Sequence, residues 1–473
     1  MASLSSPGIG SGLDVKSIVS QLVALERRPI DKLTADKSTT EAKLSAFGLV
    51  QSYTNNLRDA SRLLALPGTW AKVKATSSDA TSVAASATDS AAAGSYSVEV
   101  SQLARAQSLA SPAFGSSATT FGAGTLTLQL GAWTSGAPPA FTAKSGASPQ
   151  TVTVAAGDSL NTIRDSINAA NAGVRASLVN DGSGVRLVIR SEDTGAVNAV
   201  KITASGDASL NDLAYSPDEA STGNLSQTLS ALNATGTING LAVSSPSNTL
   251  SEAVDGLTLT FAKETTSPVE VTVAQDKEAM RKAVDDFVKA YNDLNGYIAE
   301  QTKYDAEKKI AGKLQSDTAT RSLHNQLKAA LQITSGAASG LETLSAVGIE
   351  LQSGGSLQVN TTRFNAALND TATLTTAFTA DNTGEANDGF AVRWSALTTS
   401  LTDAEGLLPS RAEGLRALVG RQTEQIAVLE DRVKRTEDRL MRQYSALDSR
   451  LSTLNALGSY VSQQVSAWSN SGK

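Results

Sequence analysis

Cysteine is absent from all 473 residues. That excludes disulfides, thiolate nucleophiles, Cys-ligated zinc and iron–sulfur clusters. A single histidine, His324, rules out any site needing two imidazole ligands, including the H-E-x-x-H helix. It sits beside Leu323 and Leu327 in a helical pattern and reads as a half-exposed helix residue. Aromatics are sparse, at 4% of the chain, and the bulk of Ala, Ser, Thr, Gly, Leu and Val suits thin layers and long helices. No apolar run approaches the ~20 residues that a bilayer-spanning helix needs. Residues 1–12 have neither a basic n-region nor an apolar h-region. These absences predict no membrane insertion and no cleaved secretory leader. Basic blocks are missing too, and the net charge is −6, which argues against nucleic acid as a partner.

Catalytic patterns are equally scarce. Gly8-Ile9-Gly10-Ser11-Gly12 has the glycines of a phosphate loop but no preceding strand and no following Gly-Lys-Ser/Thr. Asp285-Asp286 and Glu192-Asp193 are adjacent pairs that point to different faces. Neither G-x-S-x-G nor an EF-hand loop occurs. The chain offers no catalytic, metal or cofactor-binding residues to name, and it is read as a non-enzyme needing no cofactor.

What is present is a contrast of two periodicities. Near the C-terminus, Ile426, Leu429, Val433, Leu440, Tyr444, Leu447, Leu451, Leu454, Val461, Val465 and Trp468 recur at steps of three and four. Thr436 and Gly458 fill the gaps in that register. The double step of four from Thr436 through Leu440 to Tyr444 is a stutter, which locally unwinds a left-handed supercoil. At the other end Leu13, Ile18, Leu22 and Leu25 form a similar stripe, resuming at Leu33, Leu44, Phe47 and Val50. Narrow apolar stripes on long helices must bury against another helix. Arg421, Arg432, Arg435, Arg439, Arg442 and Arg450 are interleaved with Glu424, Glu430, Asp431, Glu437, Asp438 and Asp448, the pattern of a solvated face with i,i+4 pairs.

Between the arms the period falls to two. Strands are expected at 73–76, 81–85, 95–100, 125–130, 151–154, 174–178, 185–190, 200–203, 257–262 and 269–274, with Asn180 to Gly184 as a hairpin turn. A helix opening at Asp158 or Ser159 buries Leu160, Ile163 and Ile167, and 133–149 reads as a loop or elaborated edge. Asp14 is a good N-cap for a helix over 15–27. Pro29 should kink or restart it, and a second helix should run over 30–66 to Pro67-Gly68. Helical period returns at Asp276, then at 316–331, 361–368, from 388, and from about 407 almost to the end, with a small hairpin around Gly354-Gly355. The fold class is α+β multidomain: a helical, coiled-coil leg from both chain ends and the 275–425 region, with two inserted β-rich head domains. Such a layout points to an assembly subunit.

Several segments then resemble one family in order along the whole chain. Ser11-Gly12-Leu13-Asp14 through Gln21-Leu22-Val23 to Arg28-Pro29 is similar to the N-terminal signature of bacterial flagellar filament cap proteins, the flagellar hook-associated protein 2 family. Gly94-Ser95-Tyr96-Ser97-Val98, Ile238-Asn239-Gly240, Ser247-Asn248-Thr249, Asp255-Gly256-Leu257, Phe287-Val288, Gly312 to Asp317 and Val347-Gly348-Ile349 resemble later family segments. Ile167-Asn168-Ala169 with Val174 to Ser177 resembles a motif recurring in flagellin-related proteins. The resemblance implies terminal arms D0 at 1–42 and 431–473, and a helical D1 at 43–72 and 275–430. It further implies head domains D2 at 73–112 and 235–274 and D3 at 113–234. It implies a homo-oligomeric ring at the distal filament tip that promotes folding and insertion of exported flagellin. The implied partners are flagellin, hook–filament junction proteins, an export chaperone and the type III export apparatus, with an extracellular location. A surface adhesin whose β-rich head binds host surface receptors, or another flagellar axial protein, stays open beside it.

Overall fold

In the computed structural model, residues 14–218, 223–307, 309–382 and 387–470 are described, the side chains of 469 and 470 excepted. They divide into two compact units. One draws on both chain ends, up to Trp70 and from Ala279 onward; the other is Ala71–Glu278.

The first unit is helical. Helix Val15–Ala65 is capped by Asp14, whose carboxylate accepts the Ser17 backbone N–H at 2.9 Å. It runs through Pro29 without ending, so the proline does not restart the helix there. Proline deprives only one carbonyl of its partner and already has a helical φ. Residues 24–29 are all exposed, so water can satisfy the freed group. Helix Lys277–Thr302 buries Met280, Val284, Phe287, Tyr291, Leu294 and Ile298 on one face. These pack with Phe47, Val50, Leu57 and Leu64 of the first helix, with Phe364, Phe378, Phe390 and Trp394, and with Leu408, Ala412 and Leu415. Tyr291 is buried there, which pushes its phenol up to about 12, and its hydroxyl donates to the Gly355 carbonyl at 3.1 Å. Helices Thr318–Leu331, Thr361–Ala367, Phe390–Thr402 and Leu407–Asn470 match their periodic signals, and Ile349–Leu351 pairs with Leu357–Val359 as the small hairpin. Helix Thr371–Thr379 escaped the sequence reading because its stretch of threonines masks the apolar face of Leu374, Ala377 and Phe378.

Asp317 ties this unit together. Its carboxylate caps helix Thr318–Leu331 through the Thr320 N–H at 2.9 Å and receives the Arg411 guanidinium at 2.6 Å and 2.8 Å. Burial pushes the carboxyl up, but the Thr320 N–H and Arg411 outweigh it, leaving it below the ordinary aspartate value of 3.8. The stabilisation is therefore complete above that ordinary value and disappears as pH falls through the lowered one. Arg411→Ala strands a carboxylate whose side chain is 2% exposed. The expected loss is about 2–3 kcal/mol, below the usual range for a broken buried pair because the guanidinium itself is partly solvated. Urea titrations at about pH 7 and about pH 3 should show the gap between variant and wild type shrinking at the lower pH.

The second unit is antiparallel β. All ten expected strands are present. One sheet runs in the order Val73–Ser77, Val269–Gln275, Gly94–Gln102, Ala234–Ile238, Leu241–Ser245, and a three-stranded sheet joins Thr249–Val254, Leu257–Phe261 and Val83–Ala87. Their alternating inward residues form one core around Val83, Val98, Val100, Leu259, Val271 and Val273. Asn239-Gly240 closes the hairpin between Ile238 and Leu241 with φ of 50° and 79°, as a two-residue turn of this hand requires. A second core gathers Leu126, Leu128, Leu160, Ile163, Ile167, Leu187, Ile189, Val200 and Ile202, with Ser159 capping helix Leu160–Ala169. The reading missed the short strands Ser108–Ala110, Ser226–Leu229, Ala234–Ile238, Leu241–Ser245 and Thr249–Val254 as periodic signals, and Phe141–Ala143 inside the expected loop 133–149. Strands of three to six residues carry too few alternations to stand out; pairing with a neighbour is what makes them strands.

Candidate assembly surface

Helix Leu407–Asn470 starts in the main helical core, where Leu408 and Leu415 meet Phe47 and Leu57. Further along it meets the beginning of helix Val15–Ala65, so the two run antiparallel. Val15, Val19, Val23, Ile30 and Val433 are buried together, with Ile426, Leu429, Leu440, Met441 and Tyr444 partly buried around them. The first five residues of the C-terminal stripe thus lie along the N-terminal helix.

The N-terminal partners are not the residues the leucine pattern singled out. Ile18 is half-buried, Leu22 and Leu25 are exposed, and Leu13 lies outside the described residues. Two stripes coexist on this helix, one of leucines and one of Val15, Val19, Val23 and Ile30. They sit side by side on a ~3.6-residue turn, and only one can face the partner helix. The spacing of four between the valines was the available signal.

Beyond Tyr444 the stripe continues in register and is mostly exposed. Leu447 is 44% exposed, Leu454 61% and Trp468 76%; Val461 and Val465 are exposed and Leu451 is half-buried. Leu457 and Tyr460 add to the same end of the helix. His324 is half-buried; burial and then Lys328 hold its imidazole below the ordinary value. No group of three or more His, Asp or Glu side chains able to hold a metal occurs among the described residues. No described helix is long and apolar enough to cross a membrane.

Sequence comparison matches residues 11–107 to the family described as flagellar hook-associated protein 2 N-terminus and 231–456 to flagellar hook-associated protein 2 C-terminus. Residues 140–193 match the flagellin hook IN motif. The flagellar hook-associated protein 2 of Escherichia coli K12 is 31% identical over 100% of both chains. The chain belongs to the flagellar hook-associated protein 2 family. The A-type flagellar hook-associated protein 2 of Pseudomonas aeruginosa is 30% identical, covering 97% of each chain. Among solved structures, the D1-D2-D3 domains of the flagellar cap protein from Escherichia coli superpose with a TM-score of 0.63 at 30% identity, over 78% of this chain and 99% of that one. The α+β architecture, a helical unit from both chain ends with β-rich domains inserted, is that of this relative. Members of the family are structural proteins, and the adhesin alternative gains no support from them.

Proposed function

We propose that this chain is a capping subunit at the distal tip of the bacterial flagellar filament. In this reading its copies form a ring that shelters exported flagellin while it folds and inserts. The observation that carries it is the largely exposed apolar stripe from Leu447 to Trp468, which prolongs a seam already filled, up to Tyr444, by the N-terminal helix. A subunit complete in itself has no use for such a strip; a subunit seated on other subunits does. We divide the chain as arms 1–42 and 431–473, a helical domain 43–72 and 275–430, and β-rich domains 73–112 with 235–274 and 113–234. A hydrophobic cluster lies mainly within each division, with Leu109 joining the core of 113–234 and Ile426 and Leu429 joining that of the arms.

Leu13, Ile18, Leu22, Leu25 and the stripe from Leu447 to Trp468 serve the seating, the stripe from Ile426 to Tyr444 joins the two arms as a coiled coil, and none has a catalytic role. Arms that order only on packing give up conformational entropy at assembly, so their contacts can be remade as each flagellin enters. Flagellin and the hook–filament junction proteins are the axial partners. An export chaperone and the type III apparatus would handle the chain before assembly, without a cleaved leader.

The test is the solution mass of the full chain against a variant lacking 1–42 and 431–473. A full-length oligomer that falls to monomers or smaller assemblies on truncation supports the reading. Full-length protein that stays monomeric at high concentration overturns it.

A further inference from the structure

The charges on helix Leu407–Asn470 are mixed along the sequence but sorted around the helix. Taking Ile426, Val433 and Leu440 as the first seam position of a heptad, and Leu429 and Thr436 as the fourth, Arg432 and Arg439 occupy the seventh place. Glu430 and Glu437 occupy the fifth. One flank of the seam therefore carries arginine, reinforced by Arg435 and Arg442 within about 80° on a ~3.6-residue turn; the other carries glutamate. All six of these side chains are exposed. Arg435 pairs with Asp431 on its own helix, whereas Arg432, Arg439 and Arg442 have no carboxylate partner among the described residues. The arginine flank opens as a shallow cleft of about 620 Å³, closed on one side by the first helix at Glu26.

We propose that this helix pairs laterally with the same helix of a neighbouring copy, its arginine flank (Arg432, Arg439) facing the neighbour's glutamate flank (Glu430, Glu437). The inference rests on the ring reading above. Copies related by rotation about an axis along the helices run parallel to each other. In a ring of parallel copies each helix turns one flank to the neighbour on one side and the opposite flank to the neighbour on the other, so opposite charges on the two flanks meet. An antiparallel neighbour would instead set arginine against arginine and glutamate against glutamate, so the sorting also fixes direction. The seam itself stays filled by the chain's own N-terminal helix, which leaves the flanks as the faces open to a neighbour. Pairs of this kind are individually weak and salt-sensitive, suited to contacts that are broken and remade.

The experiment uses the full chain and reads assembly mass against concentration at about 50 mM and about 500 mM salt. Arg432→Glu with Arg439→Glu should raise the concentration needed for assembly by on the order of tenfold at low salt, and Glu430→Arg with Glu437→Arg should do the same. High salt should narrow both differences. The quadruple variant, with the flanks exchanged, should assemble like wild type. Circular dichroism should be unchanged in all three, since every altered side chain is exposed. Double variants that assemble like wild type overturn the pairing, as does a quadruple variant that stays apart. A glutamate-flank variant that assembles normally while the arginine variant does not assigns the arginines to an acidic partner of another kind, and also overturns it. Wild-type protein that never assembles sinks the ring reading itself, a result distinct from these.

Discussion

Trp394→Ala is expected to lower the unfolding free energy of the helical unit by about 3–5 kcal/mol, the range for removing a fully buried large aromatic. The side chain is 1% exposed and lies edge-on to Phe287 at 5.4 Å and to Tyr291 at 5.8 Å between ring centres. It thus links helices Phe390–Thr402 and Lys277–Thr302 at the centre of the core. Those two ring contacts add roughly 0.5–1.5 kcal/mol each beyond area burial, and a cavity between two helices cannot collapse far. For a unit this large the midpoint should fall by roughly 10 °C. Trp394→Phe is the informative control. The indole Nε1 is buried and finds no hydrogen-bond partner among the described residues, so its removal relieves a desolvated donor while most of the apolar ring remains. The Phe variant should lose less than about half of what the Ala variant loses. Thermal unfolding followed by helical circular dichroism measures both. Equal losses would mean that the core depends on the full indole and its fit between Phe287 and Tyr291, not on the aromatic bulk that phenylalanine keeps.

Leu447→Asp combined with Leu454→Asp should leave stability unchanged and stop filament growth. Both side chains are exposed in the isolated chain, at 44% and 61%, so their replacement costs little in folding; surface changes of this type stay within about 0.5 kcal/mol. In a seated subunit the same positions would bury two carboxylates against apolar neighbours, each costing several kcal/mol unless paired. Cells carrying the double variant should assemble at least about tenfold less filament, with flagellin lost to the medium, while the purified variant unfolds at the wild-type temperature. Normal filament yield would remove the stripe from the seating mechanism. A drop in the unfolding temperature would show instead that the stripe is covered within the chain. The two predictions are complementary, since Trp394 bears on folding alone and the leucine pair on assembly alone.

Much of this architecture is legible in the residues themselves, because burial imposes its period on any element long enough to repeat it. Strands such as Val185–Ser191 and Val269–Gln275 announce themselves by alternation, and helix Lys277–Thr302 by Met280, Val284, Phe287 and Tyr291 on one face. Asp14, Ser159 and Asp317 mark helix starts because a short side-chain oxygen can satisfy the free N–H groups there. The whole length of the C-terminal stripe is also written in sequence. What sequence could not decide is competition between equivalent choices. Residues Leu22 and Leu25 and residues Val19 and Val23 are equally good stripes until a partner helix takes one of them. Likewise, Pro29 could end a helix or be carried through it. Packing on both sides of the proline, with water available to the freed carbonyl, decided for continuity. Short strands such as Ser226–Leu229 exist because Ser108–Ala110 lies beside them to accept their hydrogen bonds. The sequence by itself determined which elements are amphipathic and where the chain changes period, since those follow from local burial. Only tertiary structure decided which apolar face is covered and which, from Leu447 onward, is left open, because that depends on where the N-terminal helix starts to run alongside.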